Sequence, residues 1–98
     1  MAGEVYIGLS REASAWYARL PDAHRRIVDA RLRELAKDPE RAPVRALSPQ
    51  GRTIYVALAV VDDEQVWAYR IEYVQDTLMR DRGRLPAIAV LRARPIRR

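Results

Sequence analysis

Apolar and polar residues alternate with a period of two in four stretches of the chain, which predicts four β-strands. The stretches are EVYIGL (4–9), RTIYVALAVV (52–61), VWAYRIEYV (66–74) and LPAIAVLRAR (85–94). Between the first and second strands, apolar residues recur at helical spacing. Ser10 suits the N-cap of a helix that ends at Pro21, and Asp22 suits the cap of a second helix that runs to about Lys37.

Two segments carry the residues that favour loops. DPERAPVRALSPQG (38–51) contains three prolines and a glycine, and QDTLMRDRGR (75–84) is predicted to be a longer connection. The predicted order is therefore β-α-α-β-β-β in an α+β domain of two layers. A helical hairpin is expected to pack on one face of a four-stranded, largely antiparallel sheet, with the other face open. The 98 residues are enough for a single domain.

The third predicted strand contains an arginine among aromatic and β-branched residues. Successive side chains of a strand point to opposite faces. The larger apolar set is expected to pack against the helices, and it comprises Trp67, Tyr69, Ile71 and Tyr73. This alternation predicts that Arg70 and Glu72 lie on the open face.

The preceding strand has a bulky set and a small set. The bulky residues, expected to face the helices, are Ile54, Val56, Leu58 and Val60. Ala57 and Ala59 would then lie beside Arg70 on the open face and leave a shallow concave site. A single β-bulge would reverse such an alternation.

The chain is basic, with 18 Lys and Arg against 13 Asp and Glu, and Lys37 is its only lysine. Arginines are frequent in residues 80–98, where Asp81 is the only acid. A small basic domain favours an acidic or polyanionic partner. The sequence has no cysteine, no signal-peptide pattern and no long apolar run, so we expect a cytoplasmic protein outside the membrane. It also has one histidine and no Gly-rich phosphate loop, so we expect no metal and no other cofactor.

Several pieces of the sequence together resemble the RelE/ParE family of bacterial toxins over nearly the whole chain. They are the opening EVYIGLSREASAWYARLP, the helix end RLRELAKDPE, the leucine in VRALSPQG, the central YRIEY and the closing AIAVLRAR. The resemblance implies the toxin of a type II toxin–antitoxin system, held inactive by a cognate antitoxin with an acidic or partly disordered segment. Members of the RelE branch cut mRNA in the ribosomal A site, and members of the ParE branch poison DNA gyrase.

The resemblance also implies roles for individual residues. Arg70 matches the central-strand arginine that binds the scissile phosphate in the RelE branch, and Arg94, or Arg92 one alternation earlier, matches a basic residue at the end of the last strand. Arginines supply positive charge to the transition state, whereas Glu72 or Tyr73 is the available acid or base. We therefore predict three catalytic residues, Arg70, Glu72 and Arg94, and three RNA-binding residues, Arg45, Arg52 and Arg92.

The chain departs from the RelE pattern in two ways. The strand TIYVALAVV has none of the lysines that the RelE branch carries there, and the chain ends in RARPIRR without the tyrosine or histidine–tyrosine pair of many relatives. Its one histidine, His24, is expected at the surface or boundary of the second helix and outside catalysis. Three functions stay open: a RelE-like ribosome-dependent endoribonuclease with an altered acid–base pair, a ParE-like gyrase inhibitor, and a binding module without catalysis.

Overall fold

The computed structural model describes residues 6–42, 44–80 and 83–98. Its elements are β1 (Tyr6–Leu9), α1 (Arg11–Ala18), α2 (Asp22–Lys37), a 3₁₀ turn (Pro39–Arg41), β2 (Val44–Leu47), β3 (Thr53–Val60), β4 (Val66–Arg80) and β5 (Gly83–Arg97). No helix in these residues is long and apolar enough to cross a membrane.

The five strands form one sheet in the order β1-β5-β4-β3-β2. The antiparallel pairing of β3, β4 and β5 is confirmed, and β1 joins β5 in parallel at one edge. The predicted α+β class is confirmed, but the expected count of four strands is wrong. The additional strand, β2, lies in the predicted loop 38–51, where prolines flank it and all four of its residues are exposed, so it has no buried alternate face that a hydrophobic pattern would reveal.

The predicted connection 75–84 is also wrong, because β4 and β5 continue through most of it. The backbones of Asp76 to Arg80 pair with residues 83–87 as the outer part of a long hairpin. Residues 81 and 82 of the predicted connection lie outside the described part of the chain.

The two helices cover one face of the sheet. The cap at Ser10 is confirmed, since its Oγ accepts the N–H of Ala13 at 3.0 Å. Asp22 is the first residue of α2 instead of its cap, because Pro21 takes the cap position. A carboxylate in the first turn still interacts favourably with the positive end of the helix dipole.

The side of β4 that faces the helices carries the largest buried side chains. Tyr69, Ile71 and Tyr73 are all buried in the core, as predicted. Trp67, predicted with them, is 38% exposed because the pairing with β5 shifts by one residue between Val66 and Ala68. This β-bulge brings Val66 into the core in place of the tryptophan.

The predicted orientation of β3 is wrong. Cross-strand partners share a face, and Ala57 pairs with Ile71 while Ala59 pairs with Tyr69. Both alanines are therefore buried under the helices, and Leu58 lies on the open face across from Arg70. The physical reason is volume: the large side chains of β4 fill the space below the helices, so the neighbouring positions of β3 hold small residues.

We expect Ala57→Leu to destabilise the protein by about 1–3 kcal/mol, because Ala57 is fully buried against Ile71 and has no room for a larger side chain. Leu58→Ala, on the open face, serves as the matched control and should cost less. Urea unfolding followed by circular dichroism measures both. A larger loss for Leu58→Ala than for Ala57→Leu would contradict this orientation of β3.

Candidate nucleic-acid interface

A cluster of charged side chains lies on the open face of β4 and β5. The Glu72 carboxylate lies between two arginines: Arg70 Nη1 is 3.2 Å from Oε1, and Arg92 Nε is 3.2 Å from Oε2. The side chain of Glu72 is 20% exposed, whereas those of Arg70 and Arg92 are 45% and 48% exposed. The two guanidinium groups therefore cover the carboxylate and remain accessible to solvent themselves.

A third arginine completes the open-face cluster, which we define as Arg70, Glu72, Arg92 and Arg94. Arg94 is exposed and lies directly across from Arg70 in the β4–β5 register. Three guanidinium groups against one carboxylate leave an excess of two positive charges. Among the described residues, Arg94 has no ion pair. Guanidinium groups bind phosphate oxygens bidentately, so this face is suited to a polyanion.

A β-bulge places the two arginines of β5 on this face. Glu72 pairs with Arg92 but Tyr73 pairs with Val90, so Leu91 is an additional residue in β5. Before it, Ile88 and Val90 are buried in the core; without the extra residue, Arg92 would follow them to the helix-facing side.

Ser10 holds this bulge at the start of α1. Its backbone N–H donates to the carbonyl of Val90 at 3.0 Å, and its Oγ donates to the carbonyl of Leu91 at 2.6 Å. The residue that caps α1 thus also fixes the point at which β5 changes the faces of its side chains.

The predicted site residues are only partly brought together. Arg70, Glu72, Arg92 and Arg94 form the open-face cluster. Arg45 lies elsewhere: its guanidinium is 5.7 Å from the ring centre of Tyr55, which faces the helices, and it donates to the carbonyl of Glu40 at 3.1 Å.

Arg52 is also remote from the cluster. Its Nη2 donates to the carbonyl of Gln75 at 3.4 Å. Gln75 lies five residues along β4 from Arg70, roughly 17 Å at the usual rise of a strand. We therefore assign Arg45 and Arg52 no place in the open-face cluster.

A second polar cluster lies on the helix-facing side. His24 Nδ1 is 2.8 Å from the hydroxyl of Tyr69, and Nε2 is 2.7 Å from Oδ2 of Asp63. An ionised Asp63 accepts a proton from Nε2–H, which leaves Nδ1 to accept from the tyrosine. The expectation that His24 lies at the surface or boundary of α2 is wrong, since it is only 7% exposed and its partners come from strand and turn. No sequence spacing joins residues so far apart in the chain.

The His24 cluster borders a cavity of about 680 Å³ at the turn between β3 and β4. Backbone N–H donation from Gln65, and then the hydrogen bond from His24, lower the pKa of Asp63. Burial, and then the nearby Asp63 charge, raise the pKa of Tyr69. All of this lies across the sheet from Arg70, so the His24 cluster and the open-face cluster do not share a ligand.

The hydroxyl of Tyr73 is committed to structure as well. It donates to the carbonyl of Pro39 at 2.7 Å, and burial raises its pKa to about 12. Tyr73 faces the helices, so of the two residues considered as acid or base only Glu72 lies beside Arg70.

Comparisons of the chain with family models, with curated proteins and with solved structures find no match. The resemblance to RelE/ParE toxins thus rests on the sequence features themselves.

We expect Asp63→Asn to lower the free energy of unfolding at pH 7, because it removes a carboxylate that the fold stabilises in its charged form. The folded-state pKa lies below the ordinary value of 3.8, so the contribution is present above that value and is lost as the pH falls through the folded pKa. The difference between wild type and variant should therefore narrow below about pH 4.

Chemical unfolding at several pH values measures this effect, and Glu64→Gln, at the exposed neighbouring position, is the control. A difference that stays constant from pH 7 to pH 3 would show that the carboxylate charge of Asp63 does not contribute.

Proposed function

We propose that this protein is the toxin of a type II toxin–antitoxin system and acts as a RelE-like, ribosome-dependent mRNA endoribonuclease. The observation that carries the proposal is the open-face cluster, in which Glu72 lies between Arg70 and Arg92 while Arg94 lies across from Arg70. Both strands of the cluster carry the sequence features on which the resemblance depends.

In the proposed reaction the RNA supplies its own nucleophile. The 2′-hydroxyl attacks the adjacent phosphorus and the bond to the 5′-oxygen breaks, which gives a 2′,3′-cyclic phosphate and a free 5′-hydroxyl. Negative charge grows on the phosphate oxygens in the transition state, and fixed cations act most strongly there. Arg70 and Arg94 are placed side by side to bind those oxygens, and Arg92 binds a neighbouring phosphate.

Glu72 is the proposed general base. A carboxylate accepts the proton of the 2′-hydroxyl, and its position next to Arg70 puts it within reach of a bound phosphate. Arginine stays charged and is a poor proton donor. Since the described residues of the cluster include no further titratable group, the leaving oxygen takes its proton from water in this mechanism.

The proposal also sets partners and location. The substrate is mRNA on the ribosome, so the protein acts in the cytoplasm and inhibits translation. The cognate antitoxin is expected to present acidic side chains, since the face that it has to block carries an excess of positive charge.

We expect Arg70→Ala to reduce cleavage by about 100-fold or more, because it removes a cation that acts on the transition state. Purified protein is added to cell-free translation, and the mRNA is mapped by primer extension. Arg45→Ala is the matched control, since it removes an arginine from the opposite face of the sheet and should leave the cuts unchanged. Circular dichroism confirms that both variants fold.

Cuts that persist in Arg70→Ala would overturn the assignment of the cluster. Intact mRNA with the wild-type protein would overturn the ribonuclease. A DNA supercoiling assay then separates the two remaining functions, because a ParE-like protein inhibits gyrase and a binding module does not.

We also expect the open-face arginines to set the salt dependence of RNA binding. Arg92→Ala should weaken binding of a single-stranded RNA and reduce the slope of log K against log salt by about 0.7, as expected for one lost phosphate contact. Fluorescence anisotropy at several salt concentrations measures it, and Arg52→Ala is the control. Equal slopes for wild type and Arg92→Ala would contradict a phosphate contact at this residue.

A further inference from the structure

The last part of β5 has a free edge. β1 pairs with β5 only from Ala87 to Val90, and the chain then leaves the sheet into α1. Beyond Leu91, β5 pairs with β4 on one side, and among the described residues no strand pairs with it on the other. The six residues 92–97 thus present unpaired main-chain groups over roughly 20 Å. Pro95 fits such an edge, because it has no N–H to pair.

A groove runs beside this edge on the helix-facing side. Its volume is about 490 Å³, and it lies between α1 and the ends of β4 and β5. Its apolar lining includes Trp16, Leu20, Val66, Tyr69 and Pro95. Trp16 packs edge-to-face on Tyr69 with ring centres 5.5 Å apart, so the wall of the groove is ordered. We call it the α1–β5 groove.

The two faces beside the edge therefore differ in chemistry. On the open face Arg92 and Arg94 project outward, and on the helix-facing side the α1–β5 groove is largely apolar. A strand added at this edge would place its own side chains alternately on these two faces. The edge is thus complementary to a segment in which acidic and apolar residues alternate.

We propose that the free edge of β5 binds an extended segment of a partner protein by strand addition, with acidic side chains against Arg92 and Arg94 and apolar side chains in the α1–β5 groove. The inference deepens the proposed function, since it gives the form and position of the inhibitory partner segment. Such a segment would cover Arg94 and so exclude RNA from the open-face cluster. The binding itself does not depend on ribonuclease activity.

A second copy of this chain does not fit the same edge. Two β5 edges paired with each other would bring the arginines of both copies together, and like charges on adjacent strands are destabilising. Pro95 would also remove a main-chain donor from both strands of that pair. Arginine and proline at an edge are common protections against self-association, which leaves the edge to a partner of opposite charge.

The test uses the full-length protein and a short, capped peptide in which glutamate alternates with valine and leucine. The protein carries Trp67→Phe, so that Trp16 is its only tryptophan. We expect the peptide to shift the emission of Trp16 and to slow hydrogen exchange at the outward-facing amides of residues 92–97. The same peptide with N-methylated alternate amides, which cannot complete the strand pairing, should bind at least tenfold more weakly.

Charge reversal tests the register of the segment. Arg92→Glu with Arg94→Glu should weaken binding of the glutamate peptide at least tenfold, and a peptide with lysine in place of glutamate should then bind the double variant. This exchange distinguishes a specific contact from a variant that has failed to fold.

Equal binding of the N-methylated and unmethylated peptides, or unchanged exchange at residues 92–97, would overturn strand addition. A concentration-dependent dimer that protects the same amides without peptide would show that a second copy occupies the edge. An RNA that protects these amides and shifts Trp16 would show that the edge belongs to the nucleic-acid interface. None of these results depends on mRNA cleavage, so they are separate from a failure of the ribonuclease assay.

Discussion

The burial of one side of β4 under the helices determines how the other parts of the molecule are arranged. Tyr69 and Tyr73 are too large and too polar at their tips to be buried without partners, and each hydroxyl bonds to the helical layer. Tyr69 bonds to His24 in the first turn of α2, and Tyr73 bonds to the carbonyl of Pro39 just beyond its end. Two residues four apart on one strand thus hold both ends of a 16-residue helix.

This attachment has a direct effect on the opposite face. Because side chains alternate along β4, the residues between the buried ones must point away from the helices. Arg70 and Glu72 are those residues, and the rigid core behind them limits the movement of their backbone. Glu72 also separates charges that would otherwise repel: its carboxylate lies between two guanidinium groups and allows three arginines to share a small area. A phosphate that binds there meets cations that are already held in place, which reduces the cost of ordering them.

The sequence was sufficient to predict those features that depend on local pattern. The two helices, the cap at Ser10, the class of fold and the outward direction of Arg70 and Glu72 all follow from spacing within a single element. The orientation of β3 was not accessible in this way, since Leu58 is more apolar than Ala57 and only the volume of Ile71 on the next strand excludes the leucine from the core. β2 escaped detection because a fully exposed edge strand has no apolar alternation. Asp63 and His24 meet through tertiary structure alone.

Leu91 separates β5 into two parts that answer to different requirements. Residues before it are selected for packing, because they lie between β1 and the helices. The even-numbered residues after it reach the opposite side, so they are free to serve contacts with other molecules. A strand without the extra residue would carry both demands on a single alternating series, and a change that improved one would disturb the other. The bulge therefore allows the interior and the exterior of this strand to evolve independently, and it makes the length of the chain between Ser10's two contacts and Arg92 as important as the identity of the side chains.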